Sequence, residues 1–169
     1  MSGCAQSAFD IAQPPQFAQQ IERDRDTTLK LSPLEYRFRS VEDRLVLRVY
    51  NASSDPISLL GPDSYLVDPE GQSHPLLSQT IPPQSFIKLI LPPLPPDRTP
   101  EGPSIAFGVS SSGLGIDTGQ SALERAAAPR NNVDQWSWGI DQSVRLTFRF
   151  QRGSDPPFTH SFSLRRHAR

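Results

Sequence analysis

Val144-Arg145-Leu146-Thr147-Phe148-Arg149-Phe150-Gln151, then Gly153-Ser154-Asp155-Pro156-Pro157, then Phe158-Thr159-His160-Ser161-Phe162-Ser163-Leu164-Arg165, is the stretch that decides the fold. Apolar side chains occupy every second position on both sides of a turn-forming cluster. A β-strand sends successive side chains to opposite faces, so each half reads as a half-buried strand. Two such strands across a short loop predict an antiparallel hairpin.

The same period extends toward the N-terminus. Leu34-Glu35-Tyr36-Arg37-Phe38-Arg39 alternates apolar with charged, Glu42-Asp43 turns, and Arg44 to Tyr50 alternates again with Leu45, Leu47 and Val49 facing inward. Asn51-Ala52-Ser53-Ser54-Asp55-Pro56 is a dense turn signal. Short strands follow at Ile57–Leu60 and Ser64–Val67, the latter closed by Asp68-Pro69-Glu70-Gly71, a β-turn with proline at its second position. Phe86-Ile87-Lys88-Leu89-Ile90-Leu91 reads as a strand after the Pro82-Pro83 break, and Ser104–Val109 as another. Residues 92–103 are too rich in proline to pair in a sheet and read as extended polyproline II. Residues 110–135 form a long polar insertion, where Ser121-Ala122-Leu123-Glu124 begins one short helix that Pro129 ends. With no βαβ pattern, the expectation is an all-β, antiparallel Greek-key sandwich of about seven to nine strands.

The chain of 169 residues is long enough for one core. Hydrophobic content is 36% and mean hydropathy −0.45, which places part of the chain outside that core. A net charge of −1 gives no mark of a nucleic-acid binder. The charge is uneven: residues 1–142 carry 11 basic and 17 acidic groups, a balance of −6, and residues 143–169 carry 6 and 1, a balance of +5. No apolar run is long enough to span a bilayer as a helix.

The single cysteine, Cys4, excludes an internal disulfide. It sits in Ser2-Gly3-Cys4-Ala5-Gln6-Ser7, which resembles the end of a bacterial lipoprotein signal. In that family an apolar stretch precedes the motif, cleavage occurs before the cysteine, and lipid is attached to its sulfur. Here the apolar stretch is missing, because the chain starts at Met1. The resemblance implies a lipid anchor at Cys4 and an address in the bacterial cell envelope, at the periplasmic side of the outer membrane or the cell surface. Residues 1–32 are polar, with Pro14-Pro15 and the run Glu22-Arg23-Asp24-Arg25-Asp26, and read as a tether reaching roughly 30 Å from the membrane. Within it, Phe17 and Ile21 fit one face of a short helix that docks on the domain. The folded domain is then expected over 33–169.

Leu45, Leu47, Val49, Asn51, Pro56, Asp68, Gly71, Pro82 and Phe86 follow a pattern similar to the immunoglobulin-like sandwiches of bacterial envelope lipoproteins. This likeness spans about a third of the chain. It implies a fold and an address, and no catalytic residues.

Local catalytic motifs are not found. There is no Gly-x-Ser-x-Gly, Ser110-Ser111-Ser112-Gly113 reads as a flexible loop, and Gly113-Leu114-Gly115 lacks the rest of a phosphate-binding loop. Cys4, His74, His160 and His167 are not spaced as metal ligands on one element. His160 reads as a core or rim histidine and His167 as solvated. The expectation is a non-enzyme with no cofactor and no metal.

Binding candidates remain. Arg37, Arg39, Arg44, Arg48, Arg145 and Arg149 all occupy outward positions of their strands. If the strands are neighbours they form one cationic ladder for an acidic protein, an anionic glycan or lipid headgroups; the plainer reading is a solvated face paired with Glu35 and loop acids. Pro93-Leu94-Pro95-Pro96-Asp97-Arg98 matches Pro-x-x-Pro-x-Arg, a ligand pattern carried by Pro93, Pro96 and Arg98; the plainer reading is a stiff surface connection. Trp136 and Trp138 share a strand face, as a sugar-stacking platform, an interface anchor or a core plug. Asn51-Ala52-Ser53 is an N-glycosylation pattern that matters only in a eukaryotic secretory context. The leading expectation is a non-catalytic, membrane-tethered envelope lipoprotein that binds a protein complex. The alternative is a carbohydrate- or cell-wall-binding module.

Overall fold

The computed structural model of the chain describes residues 7–94 and 136–168. Those residues form an all-β protein of two antiparallel sheets facing one core, with twelve strands among them. The strands are β1 (Ser7–Gln13), β2 (Gln19–Ile21), β3 (Thr27–Leu31), β4 (Leu34–Val41), β5 (Arg44–Asn51), β6 (Ile57–Leu59), β7 (Tyr65–Val67), β8 (Ser73–Pro75), β9 (Gln79–Ile81), β10 (Phe86–Leu91), β11 (Ser143–Arg152) and β12 (Phe158–Ala168). Single 3-10 turns occur at Pro15–Phe17 and Gly61–Asp63. The larger sheet runs β2-β1-β12-β11-β6-β9, with β7 also on β11 and β8 on β7. The smaller runs β10-β5-β4-β3.

The long hairpin forms with the register its alternation requires. Val144 faces Leu164, Leu146 faces Phe162, Phe148 faces His160 and Phe150 faces Phe158. Opposite them Leu34, Tyr36 and Phe38 of β4 and Leu45, Leu47 and Val49 of β5 are buried to 2% exposure or less. Edge-to-face contacts of Tyr36 and Phe38 with Phe162 knit the sheets at centroid distances of 4.7 and 5.6 Å.

β11 pairs with two short strands in succession, β6 at Phe150–Arg152 and β7 at Arg145–Thr147. The Ser64 hydroxyl closes the gap between them. It accepts the Arg149 N–H at 2.9 Å and donates to the Leu60 carbonyl at 2.7 Å. Gly61 is needed at this crossing, because a Cβ there would lie 2.5 Å from Ser78 N and 2.6 Å from Leu76 O.

The expected tether over 1–32 is corrected. Residues 7–31 hold three strands of the sandwich, so the fold begins by Ser7 and not at 33. β1 lies along β12 from Ser7↔Ala168 to Gln13↔Ser163, with a bulge after Ile11, and buries Phe9 and Ile11. β3 lies on β4 from Thr27↔Phe38 to Leu31↔Leu34. The apolar alternation in each is only two residues deep, so composition masked it; the pairing neighbour supplies what local periodicity lacks. Phe17 and Ile21 do pack on the core, but through a 3-10 turn and β2 rather than one helix face. The strand expected at 104–109, the insertion 110–135 with its helix, and residues 95–103 of the proline segment lie outside the described residues.

Candidate functional site

The outer face of the smaller sheet is built by the alternation that fills its inner face. Inward residues of β4 and β5 are apolar except Ser40 and Asn51, and the outward set is Glu35, Arg37, Arg39 and Val41 on β4, and Arg44, Val46, Arg48 and Tyr50 on β5. β3 adds exposed Thr28 and Lys30, and β10 adds Phe86, Lys88 and Ile90. Register sets these in rows. Arg37 is opposite Thr28 on one side and Arg48 on the other, and Arg48 is opposite Lys88. Three cations therefore stand side by side on adjacent strands. Directly opposed like charges destabilise a sheet, so the row is a local cost.

Partial compensation comes from two carboxylates and two rings. Arg37 donates through Nε to Glu35 at 2.6 Å and lies over Tyr50, 4.9 Å from its centroid. Arg39 donates through Nε to Asp26 at 2.8 Å, and Arg48 reaches the same carboxylate only at 3.9 Å. Arg48 also lies over Phe86, 5.7 Å from its centroid. Arg44 is turned aside, donating to the carbonyls of Pro92 and Pro93. Among the described residues, the terminal amino groups of Arg37 and Arg39 make no hydrogen bond. Lys30 and Lys88 are in no ion pair within 4 Å. The face thus presents Lys30, Arg37, Arg39, Arg48 and Lys88 against Glu35 and Asp26, with Phe86 52% exposed beside them.

The single arginine ladder is corrected into two separate groups. Arg145 and Arg149 point outward from β11 in the other sheet, where Arg149 meets Asp63 at 3.7 Å. Parity tells which side of its own strand a residue takes, but not which sheet the strand joins. Lys88, Lys30, Phe86 and Tyr50 are not among the binding candidates that the sequence offers. Lys88 had a readable signal, as the one charge in an otherwise apolar strand.

The tryptophans separate. Residues 136–139 are in no strand, although burial still alternates. Trp138 is 2% exposed, packs 5.0 Å from Phe9 and donates to the Gln142 carbonyl at 3.0 Å; it is a core plug, not a binding surface. Trp136 is half-buried, 6.0 Å from Trp138 and stacked on His74. It lines an open cleft of about 390 Å³ with Asp68, Glu70, Gln72 and Ser137. Pro93 accepts from Arg44, whereas Pro96, Arg98 and Cys4 lie outside the described residues.

Each histidine has a structural partner. His74 Nε2 is 2.8 Å from Asp68 Oδ2, both buried, while Asp68 Oδ1 accepts the Glu70 and Gln72 N–H groups at 2.9 Å each. Burial pulls the Asp68 pKa upward, but His74 and these N–H groups outweigh it and hold the carboxyl below its usual range. His160 Nδ1 is 2.7 Å from the Tyr36 hydroxyl across the core. Burial lowers the His160 pKa and raises that of Tyr36, so the neutral pair is favoured. His167, expected to be solvated, extends β12 and lies 3.1 Å from Asp10 Oδ2, at an ion-pair distance but without hydrogen-bond alignment. Among the described residues no three His, Cys, Asp or Glu side chains are grouped to hold a metal ion.

Asn51 is fully buried, and its side-chain nitrogen donates to the carbonyls of Asp55, Ile81 and Pro82. It is a structural staple, closed to glycan attachment in the folded chain. Compared with protein-family models, curated proteins and solved structures, the chain matches none of them.

Proposed function

We propose that this chain is a non-catalytic binding module of the bacterial cell envelope, anchored by lipid at Cys4 and working as a component of a protein assembly. The observation that carries the binding role is the row Arg37–Arg48–Lys88, an arrangement that costs stability and that an anionic partner would relieve. The envelope address rests on the Ser2-Gly3-Cys4 resemblance. The immunoglobulin-like reading is supported by two features. The chain changes sheets between β5 and β6, and strands distant in sequence, β5 with β10 and β1 with β12, lie side by side.

The fold alters what an anchor at Cys4 would do. With β1 starting at Ser7, three residues later, the fully extended connection spans roughly 10 Å. An acylated Cys4 would hold the β1 end of the sandwich at the bilayer surface rather than lift the domain away. A glycan-binding module is the second reading, supported by the Trp136 cleft with Glu70 and Gln72 at its rim.

The test is purification of the native protein from detergent-solubilised membranes, with mass spectrometry of the Cys4 peptide and of stoichiometric companions. An acylated Cys4 with a defined companion is the expected result. An unmodified Cys4 in the soluble fraction overturns the anchor, and the absence of any companion overturns the assembly role.

A further inference from the structure

We infer that the outer face of β3, β4, β5 and β10 is a docking surface for an acidic protein, one whose contact patch interleaves carboxylates with apolar or aromatic side chains. This names the partner chemistry of the module proposed above and rests on that reading.

Charge comes first. Glu35 and Asp26 occupy the Nε positions of Arg37 and Arg39, so the two guanidiniums are oriented yet keep their terminal amino groups for a new oxyanion. Two carboxylates hold the three arginines without neutralising them, and Lys30 and Lys88 add two further cations that neither carboxylate reaches within 4 Å. An arginine fixed by a neighbouring acid and a ring loses little further freedom on binding, and its fork suits a carboxylate. Both lysines of the chain stand on this face, exposed.

The choice among anions follows from what lies between the charges. Along β5 the outward order is Arg44, Val46, Arg48, Tyr50, and along β10 it is Phe86, Lys88, Ile90. On these two strands each cation has an apolar or aromatic outward neighbour, and Phe86 is 52% exposed. A polyanionic glycan offers little to cover such side chains. Arginine and aromatic residues together are the mark of protein contact centres. The face is small: three strand spacings and six residues give roughly 15 by 20 Å. That is less than a standard interface, so the contact is transient, steered by charge and weakened by salt.

The test uses the full chain and a random copolymer of glutamate and tyrosine as the acidic protein probe. Heparin and phosphatidylcholine vesicles carrying phosphatidylglycerol are the competing probes. Three proteins are compared: wild type, Arg37→Glu/Arg48→Glu, and Arg145→Glu/Arg149→Glu, which reverses equal charge on the other sheet. Circular dichroism and thermal melts establish that each is folded. The expected result is saturable copolymer binding by wild type at about 0.15 M salt, weakened about tenfold or more by Arg37→Glu/Arg48→Glu and little by the other pair. Equal loss in both variants would mean net charge alone acts, and would overturn the assigned face. Tighter binding to vesicles or heparin than to the copolymer overturns the protein partner, as does no binding at all. A native companion that is retained by Arg37→Glu/Arg48→Glu would leave the assembly role standing and remove only this surface.

Discussion

Asn51 shows how much one polar side chain can organise. Its amide nitrogen donates to three carbonyls, and its oxygen accepts from Ser53 N at 3.0 Å and Ser53 Oγ at 2.7 Å. It therefore joins the β5–β6 loop to the end of β9. Asn51→Ala would remove all of these bonds at once and take the amide donor from the buried Ile81 carbonyl, and a loss of about 2–4 kcal/mol in denaturant unfolding is expected. The Tyr36–His160 pair is the residue-scale source of pH sensitivity. Burial lowers the His160 pKa in the fold below its unfolded value of about 6.5. The stabilising effect is full above that value and is lost as pH falls through it toward the folded pKa, because the unfolded chain takes the proton first. Unfolding curves at about pH 7.5 and about pH 5 should show lower stability in acid, and His160→Phe should flatten that segment. Asp68, whose folded pKa is depressed, acts in a lower window: its contribution is present above about pH 4 and disappears as pH falls through the folded value.

At the scale of elements, the β4–β5 hairpin turns on two residues, with Glu42 at φ 53°. A side chain in this left-handed region costs about 1 kcal/mol, which glycine avoids. Glu42→Gly is expected to raise the melting midpoint by a few degrees, read by thermal denaturation. Gly61→Ala should do the opposite, since the atoms a Cβ would strike are backbone and the crossing cannot yield. Element positions within the long hairpin, β4 and β5 were legible because each strand is half-buried and its polar face is charged. β1 and β3 were not legible. Each offers little apolar alternation, and Asp10, Thr28 and Lys30 gave them the look of linker composition.

For the molecule as a whole, the charge imbalance along the chain closes in space. Arginines of the +5 C-terminal segment meet acids from the rest: Arg149 with Asp63, Arg165 with Asp141, and Arg166 with Asp43. Arg166 also donates to the Trp138 carbonyl and to Ser7 Oγ, and so ties the start of β1 to the hairpin turn of β4–β5. The N-terminal strands are thus part of the fold. Deleting residues 1–22 would remove Phe9, Ile11 and Ile21 from the core, a loss of about 1.5–3 kcal/mol each, against a total stability of about 5–15 kcal/mol. It would also expose β12 as a long sheet edge. The truncated chain is expected to aggregate or to bind a hydrophobic dye, whereas a dispensable tether would leave the melt unchanged.

Local alternation alone determined that this chain is β-rich, where its longest strands lie and which side of each is apolar, because period two is a property of the strand itself. Asp68-Pro69-Glu70-Gly71 likewise announced its turn, closed by the Gly71 N–H on the Asp68 carbonyl at 3.0 Å, and Gly71 takes a φ of +90° that glycine adopts without strain. Only the tertiary structure decided which strands share a sheet. That separated Arg37 and Arg48 from Arg145 and Arg149, placed Lys88 beside Arg48, sent Trp138 into the core and drew residues 7–31 into the sandwich. Pairing across the sheet joins residues far apart in sequence, and no local period carries that information.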